Sequence, residues 1–203
     1  MSESHEGPLS ALDAIYMRRS VRTYTGQPLD NATVRALLDA AVQAPTAMHE
    51  EPCAFVVVQS AAALRRCSDR AKAMWAKDAD RHRDLHLVAG AASLKAFEER
   101  LASPDFSIFY DAGTLIVICG KPLGPFVAAD CWLAAENLML AAFAMGLGTC
   151  CIGLALPMLN EPDIKAELGM PADMTAVAAI VVGVPRGEAL PVPRKAPEVL
   201  AWV

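Results

Sequence analysis

Residues 138–159 carry no charged side chain. A bilayer-spanning helix needs roughly 20 apolar residues, so length alone would admit a membrane segment. Gly146, Gly148, Gly153 and Pro157 interrupt the stretch, and no basic flank marks one of its ends. The expected form is a helix over residues 130–145, followed by a glycine turn, with no membrane partner. Its surface is apolar nearly all round, so it should be buried on most sides. A chain with such a helix must supply other apolar layers to bury it.

The rest of the chain supplies them. Of 203 residues, 54% are hydrophobic and 20% charged, which excludes a disordered or highly charged chain. Phe55-Val56-Val57-Val58, Leu115-Ile116-Val117-Ile118-Cys119 and residues 176–182 are short apolar runs that predict buried strands. Helices are predicted after Ser10 and after Asp30, where a capping side chain precedes an apolar pattern. Residues 60–100 are helix-prone, with Gly90 separating two pieces, and residues 161–168 predict a short helix ended by Gly169. The Pro-rich residues 185–197 should run extended over a surface, their own or another subunit's. Helices and strands interleave without a βαβ rhythm, so an α+β fold is expected, with helices on both faces of one sheet.

Charge and motifs narrow the function. Eighteen basic against 23 acidic residues give a net charge of −5, which argues against nucleic-acid partners. The N-terminus has no apolar signal segment. Cys53, Cys67, Cys119, Cys131, Cys150 and Cys151 show no zinc spacing, and a chain this long needs no disulfide staples. All six are expected to be reduced thiols, in keeping with a cytoplasmic location and no metal. No histidine lies near Cys150 or Cys151 in sequence, so neither is expected to act as a nucleophile. There is neither a GxGxxG after the first strand nor a GxxxxGK[ST].

Four motifs remain. Arg18-Arg19-Ser20-Val21-Arg22 offers guanidinium forks and a hydroxyl suited to a phosphate, or is a solvated basic helix end stabilised by the dipole. Residues 44–52, Ala-Pro-Thr-Ala-Met-His-Glu-Glu-Pro, are a rigid loop at a site's edge or an ordinary connection. Residues 146–153 hold closely spaced glycines that either admit a flat ligand or form a helix cap and turn. Arg194-Lys195 is either a ligand contact or part of a solvated tail.

In this order, the motifs resemble the nitroreductase family of flavin enzymes. Arg18-Arg19-Ser20-Val21-Arg22 matches its RRSxR signature. Ala44-Pro45-Thr46 resembles the start of its APS/T-x-x-N-x-Q-P loop, with His49 and Glu51 in place of the Asn and Gln. Residues 130–148, with Ala134-Ala135, Asn137-Leu138 and Gly146-Leu147-Gly148, are similar to its central helix. Val182-Gly183-Val184-Pro185 and Pro193-Arg194-Lys195 resemble its C-terminal end.

The resemblance implies an α+β fold with a central mixed β-sheet flanked by helices, and an intertwined homodimer. It implies one FMN-binding domain over residues 1–203, with a variable helical segment at about 60–109 and an extended tail at about 185–203. FMN would sit at the subunit interface. Arg18, Arg22, Arg194 and Lys195 would serve its phosphate and ribityl chain, with Arg19 and Ser20 also in contact. Pro45, Thr46, Met48 and His49 would come from the partner subunit. Ile152 and Gly153 would lie near the flavin N5, the Gly153 amide donating. The implied reaction is ping-pong reduction of a nitroaromatic, quinone or related small acceptor by NADH or NADPH, with the flavin carrying the chemistry and no catalytic side chain. The alternatives are a flavin-binding protein for storage or sensing without turnover, and a remodelled member acting on a different substrate. His49-Glu50-Glu51, in place of the usual amides, favours these.

Overall fold

The computed structural model describes residues 9–77 and 91–203. Gly90, expected to separate two helices, lies outside them. The strands are β1 (Cys53–Val58), β2 (Thr114–Gly120), β3 (Gly148–Cys151) and β4 (Thr175–Gly183), in the order β1-β2-β4-β3. The helices are α1 (Ala11–Met17), α2 (Asn31–Ala41), α3 (Ala61–Trp75), α4 (Ala91–Ala102), α5 (Val127–Ala144), α6 (Leu156–Leu159) and α7 (Pro162–Glu167).

The sheet explains the continuous apolar runs. Successive strand side chains point to opposite faces, and both faces are covered. Ile116, Ile118, Ile180 and Val182 pack with Leu37 and Ala41 of α2 and with Ala134, Ala135 and Leu138 of α5. Leu115, Val117 and Val181 pack with Leu64, Cys67 and Ala71 of α3 and with Met158 and Leu159 of α6. The α+β class and the two helical layers are as expected. The strand directions are less mixed than expected, since all three ladders are antiparallel. The chain leaves β1 at Val58 and re-enters β2 at Leu115, directly opposite, so the helical excursion closes at the end of the sheet where it began. The parallel component among the described residues is the Ser20–Thr149 bridge.

Local signals set the helix ends. Ser10 and Asp13 form a capping box at α1, and the Asp30 carboxylate accepts the Thr33 amide at 2.8 Å at the start of α2. Gly146 ends α5 at φ +75°, the left-handed cap a glycine permits. The residues after it form β3, an edge strand where only a turn was expected.

Helix α5 departs from the expectation of burial on most sides. Cys131, Ala134, Ala135, Leu138, Met139 and Ala142 are buried, whereas Trp132 and Leu133 are exposed at 43% and 46%. The sheet and α2 cover only one side. Helix α1 packs beside α5 and exposes Leu12, Ile15, Tyr16 and Met17. By length and composition α5 could cross a membrane, with mean hydropathy 1.3, but residues 138–159 are broken into a helix end, a strand and short helical turns.

Candidate functional site

Helix α1 stops at Met17, and Arg18 turns the backbone to ψ 146°, so the arginine segment continues extended along β3. The Val21 amide donates to the Thr149 carbonyl at 2.9 Å. A Cβ on Gly148 would sit 2.7 Å from the Val21 side chain, so the glycine permits this close approach. The end of β4 is tied to the same segment. The Tyr24 hydroxyl donates to the Val21 carbonyl at 2.8 Å, the Thr25 amide to Val184 at 3.1 Å and the Arg186 amide to Thr23 at 3.0 Å.

These ties bring sequence-distant residues to one cavity of about 610 Å³, lined by Arg18, Arg19, Ser20, Arg22 and Arg194 with Glu188. Lys195 is exposed in the tail and does not line it. The arginines are not equivalent. Arg18 Nε donates to Glu136 Oε1 at 3.0 Å. Arg19 Nη1 donates to the carbonyls of Tyr16 and Arg18 at 2.7 and 2.8 Å, so it performs the helix-end role that was one reading of the motif. Among the described residues Arg22 makes no ion pair, and it lies over the Tyr110 ring, 5.9 Å from its centroid. Burial pushes the Cys150 thiol and the Tyr24 hydroxyl up, so neither supplies negative charge near these guanidiniums at neutral pH.

Ile152 and Gly153 follow β3 and line a second cavity of about 130 Å³ with Phe97, Leu101, Phe106, Ile108 and Tyr110. Gly153 is the first residue of a short 3-10 turn, Gly153–Ala155, so its amide has no intrahelical acceptor. A Cβ on Gly153 would meet nothing within 4 Å. The space that a side chain at position 153 would fill is therefore open, beside an aromatic wall.

The loop at 44–52 lies elsewhere. It feeds β1, while the arginine segment runs along the outer edge of β3, so β2, β4 and β3 stand between. At 4.7–4.9 Å per strand the separation is roughly 19 Å. Within one chain, then, Pro45, Thr46, Met48 and His49 are not brought to the arginine cavity. Buried Asp130, in the first turn of α5, holds the loop by accepting the Ala47 amide on both oxygens at 3.2 and 3.3 Å. Met48, His49 and Glu51 adopt φ of 54°, 57° and 46°, which is uncommon for residues with side chains, and Met48 is 88% exposed.

The sequence reading missed Tyr110 beneath Arg22, the wall residues Phe97 and Phe106, and Asp130 as the loop's anchor. Only Asp130 had a signal, as an acid in a first helical turn beside an apolar run. The six cysteines are free thiols, and the Cys53 and Cys131 sulfurs lie 3.6 Å apart, well beyond a bond. Among the described residues no three His, Cys, Asp or Glu side chains cluster as a metal site would require.

Comparison with known proteins places this geometry. A Bacteroides fragilis nitroreductase solved with bound FMN is 27% identical, with a TM-score of 0.77 over 96% of this chain and 98% of that one. A 5,6-dimethylbenzimidazole synthase of Rhodospirillum rubrum is 30% identical over 204 residues, 94% of this chain and 88% of its own. An Archaeoglobus fulgidus protein, provisionally named an NADH dehydrogenase/NAD(P)H nitroreductase, is 25% identical over 182 residues, 87% of this chain and 86% of its own. The model of the Nitroreductase family matches residues 15–184, spanning α5 and all four strands. The chain belongs to the nitroreductase family.

Proposed function

We propose that this protein binds FMN and uses NADH or NADPH to reduce a nitroaromatic, a quinone or a related small acceptor by a ping-pong mechanism. The observation that carries the reading is the arginine cavity. It gathers Ser20, Arg22 and Arg194 from the two ends of the chain, and Tyr110 connects its Arg22 to the cavity beside Gly153. These residues fit a monophosphorylated flavin. Guanidinium forks and a hydroxyl suit a phosphate, and a glycine whose amide has no intrahelical acceptor, with open space where a side chain would stand, suits the edge of a flat ring.

FMN, when bound, supplies hydride acceptance and release. Arg22 and Arg194, with Arg18, Arg19 and Ser20, hold the phosphate and ribityl end, and Lys195 reaches the same end from the tail. The Gly153 amide orients the ring beside Ile152. Pro45, Thr46, Met48 and His49 contact the ring from a partner subunit in a homodimer. Support for the dimer comes from the roughly 19 Å that keeps the loop from its own chain's arginines, and from the outward apolar face of α1 and α5. The exposed tail, with Leu200 and Trp202 at its end, offers further apolar surface to a partner. The bound FMN of the Bacteroides relative and the NAD(P)H in the name of the Archaeoglobus relative support cofactor and donor.

A second reading has its own support. The Rhodospirillum relative carries the name of a synthase, and His49 and Glu51 depart from the family's loop amides. A remodelled member would bind FMN yet act without nicotinamide. Anaerobic addition of NADH or NADPH to the yellow purified protein separates the two. The proposal expects bleaching, with colour restored by a quinone or nitroaromatic. Flavin that stays oxidised with both nicotinamides, yet is reduced by dithionite, contradicts it.

A further inference from the structure

Beside the arginine cavity lies a second basic, aromatic recess, which meets the first at Arg22. A cavity of about 280 Å³ shares Arg22 with the arginine cavity, and shares Phe106 and Tyr110 with the one beside Gly153. The Phe106 and Tyr110 rings meet edge to face, 5.8 Å apart at 71°. Arg100, in the last turn of α4, lies with its guanidinium carbon 4.7 Å from the Phe106 centroid. Arg186 lines the same recess.

Asp105 and Asp111 also line it, so three guanidiniums face two carboxylates. Among the described residues, none of Arg22, Arg100 and Arg186 is within ion-pair distance of a carboxylate. Tyr110 and Asp111 both adopt left-handed φ, at 54° and 57°. Two consecutive side-chain-bearing residues rarely do so, and such strain collects at binding sites. It sets Tyr110 between Arg22 and Phe106.

The chemistry of this recess is specific. An aromatic face holds the planar Arg100 fork in place, so its donors are ordered before a ligand arrives, and a fork of this kind matches a carboxylate bidentately. The Phe106 and Tyr110 rings, which line the recess itself, offer apolar surface to a flat ring. We propose that this recess selects aromatic acceptors that carry a carboxylate, with Arg100 as the residue that recognises it. The inference rests on the oxidoreductase reading for the word acceptor, but the binding preference is measurable without turnover.

The test compares 4-nitrobenzoate with 4-nitrobenzyl alcohol, a neutral ring of similar size, by calorimetric titration of the purified oxidised protein and its Arg100→Gln variant. Wild type should bind the carboxylate at least roughly tenfold more tightly than the alcohol. Arg100→Gln should erase that preference, leaving affinity for the alcohol and the FMN content unchanged. Equal affinity of wild type for the two compounds, or equal losses for both in the variant, overturns the proposal. So does an effect of the variant confined to reduction by NADH or NADPH, which would assign Arg100 to the donor's phosphates. Failure of the nicotinamides to bleach the flavin would sink the oxidoreductase reading while leaving the carboxylate preference to stand or fall on its own titration.

Discussion

The arginine segment and the 44–52 loop sit at opposite edges of one sheet and are held in different ways. Residues 18–25 are bonded along β3 and to the end of β4 by successive backbone contacts, and their arginines converge with Arg194 on a cavity of their own chain. The loop is held by the buried Asp130 carboxylate and, at its end, by Lys121, bends through three left-handed residues and presents Met48 outward. The first region lines a cavity within its own chain. The second lines none of that cavity. On the proposed reading, a site divided in this way is complete only when two chains meet.

Perturbing each half separately should give separable effects. The largest is expected at Arg22, which makes no ion pair among the described residues. Replacing Arg22 by Ala should weaken FMN by about 1.5–3 kcal/mol, a roughly ten- to hundredfold rise in Kd by fluorescence titration, with the melting temperature of the FMN-free protein unchanged. Unchanged affinity would leave Arg22 as a cation stacked on Tyr110 with no part in holding the flavin. Next comes the loop anchor. Asp130→Ala leaves the Ala47 amide unpaired and should cost about 1–3 kcal/mol in urea unfolding. An unchanged midpoint would mean that the loop does not depend on this bond. The smallest effect is expected at Arg19, whose donors serve the end of α1. Arg19→Ala should lose about 0.3–1 kcal/mol of stability and change FMN affinity less than Arg22→Ala does. The reverse order would exchange the roles of the two arginines.

That division of labour was not legible in the sequence. Arg18, Arg19 and Arg22 fall within five residues and offer the same fork. What distinguishes them is the turn of the backbone at Arg18, which leaves Arg19 beside the last carbonyls of α1 and carries Arg22 on to Tyr110. Strands β1, β2 and β4 and helix α5 were legible because burial of long apolar runs leaves a plain mark. β3 was not. It has four residues, starts at a glycine and follows a capping glycine, so it carries the local signature of a turn. Its pairing with β4 is a long-range fact. Tyr110 and Arg100 lie in or beside a segment whose composition says only helix, and their meeting with Arg22 and Phe106 depends on how α4 returns to the sheet.

On the proposed reading the flavin site is shared between two chains. Sedimentation velocity of the purified protein, recorded at both the flavin and the protein absorbance bands across micromolar concentrations, decides this. The flavin should move with a species of twice the 21.6 kDa chain mass, at one FMN per chain. Flavin that sediments stoichiometrically with a 21.6 kDa monomer would contradict it.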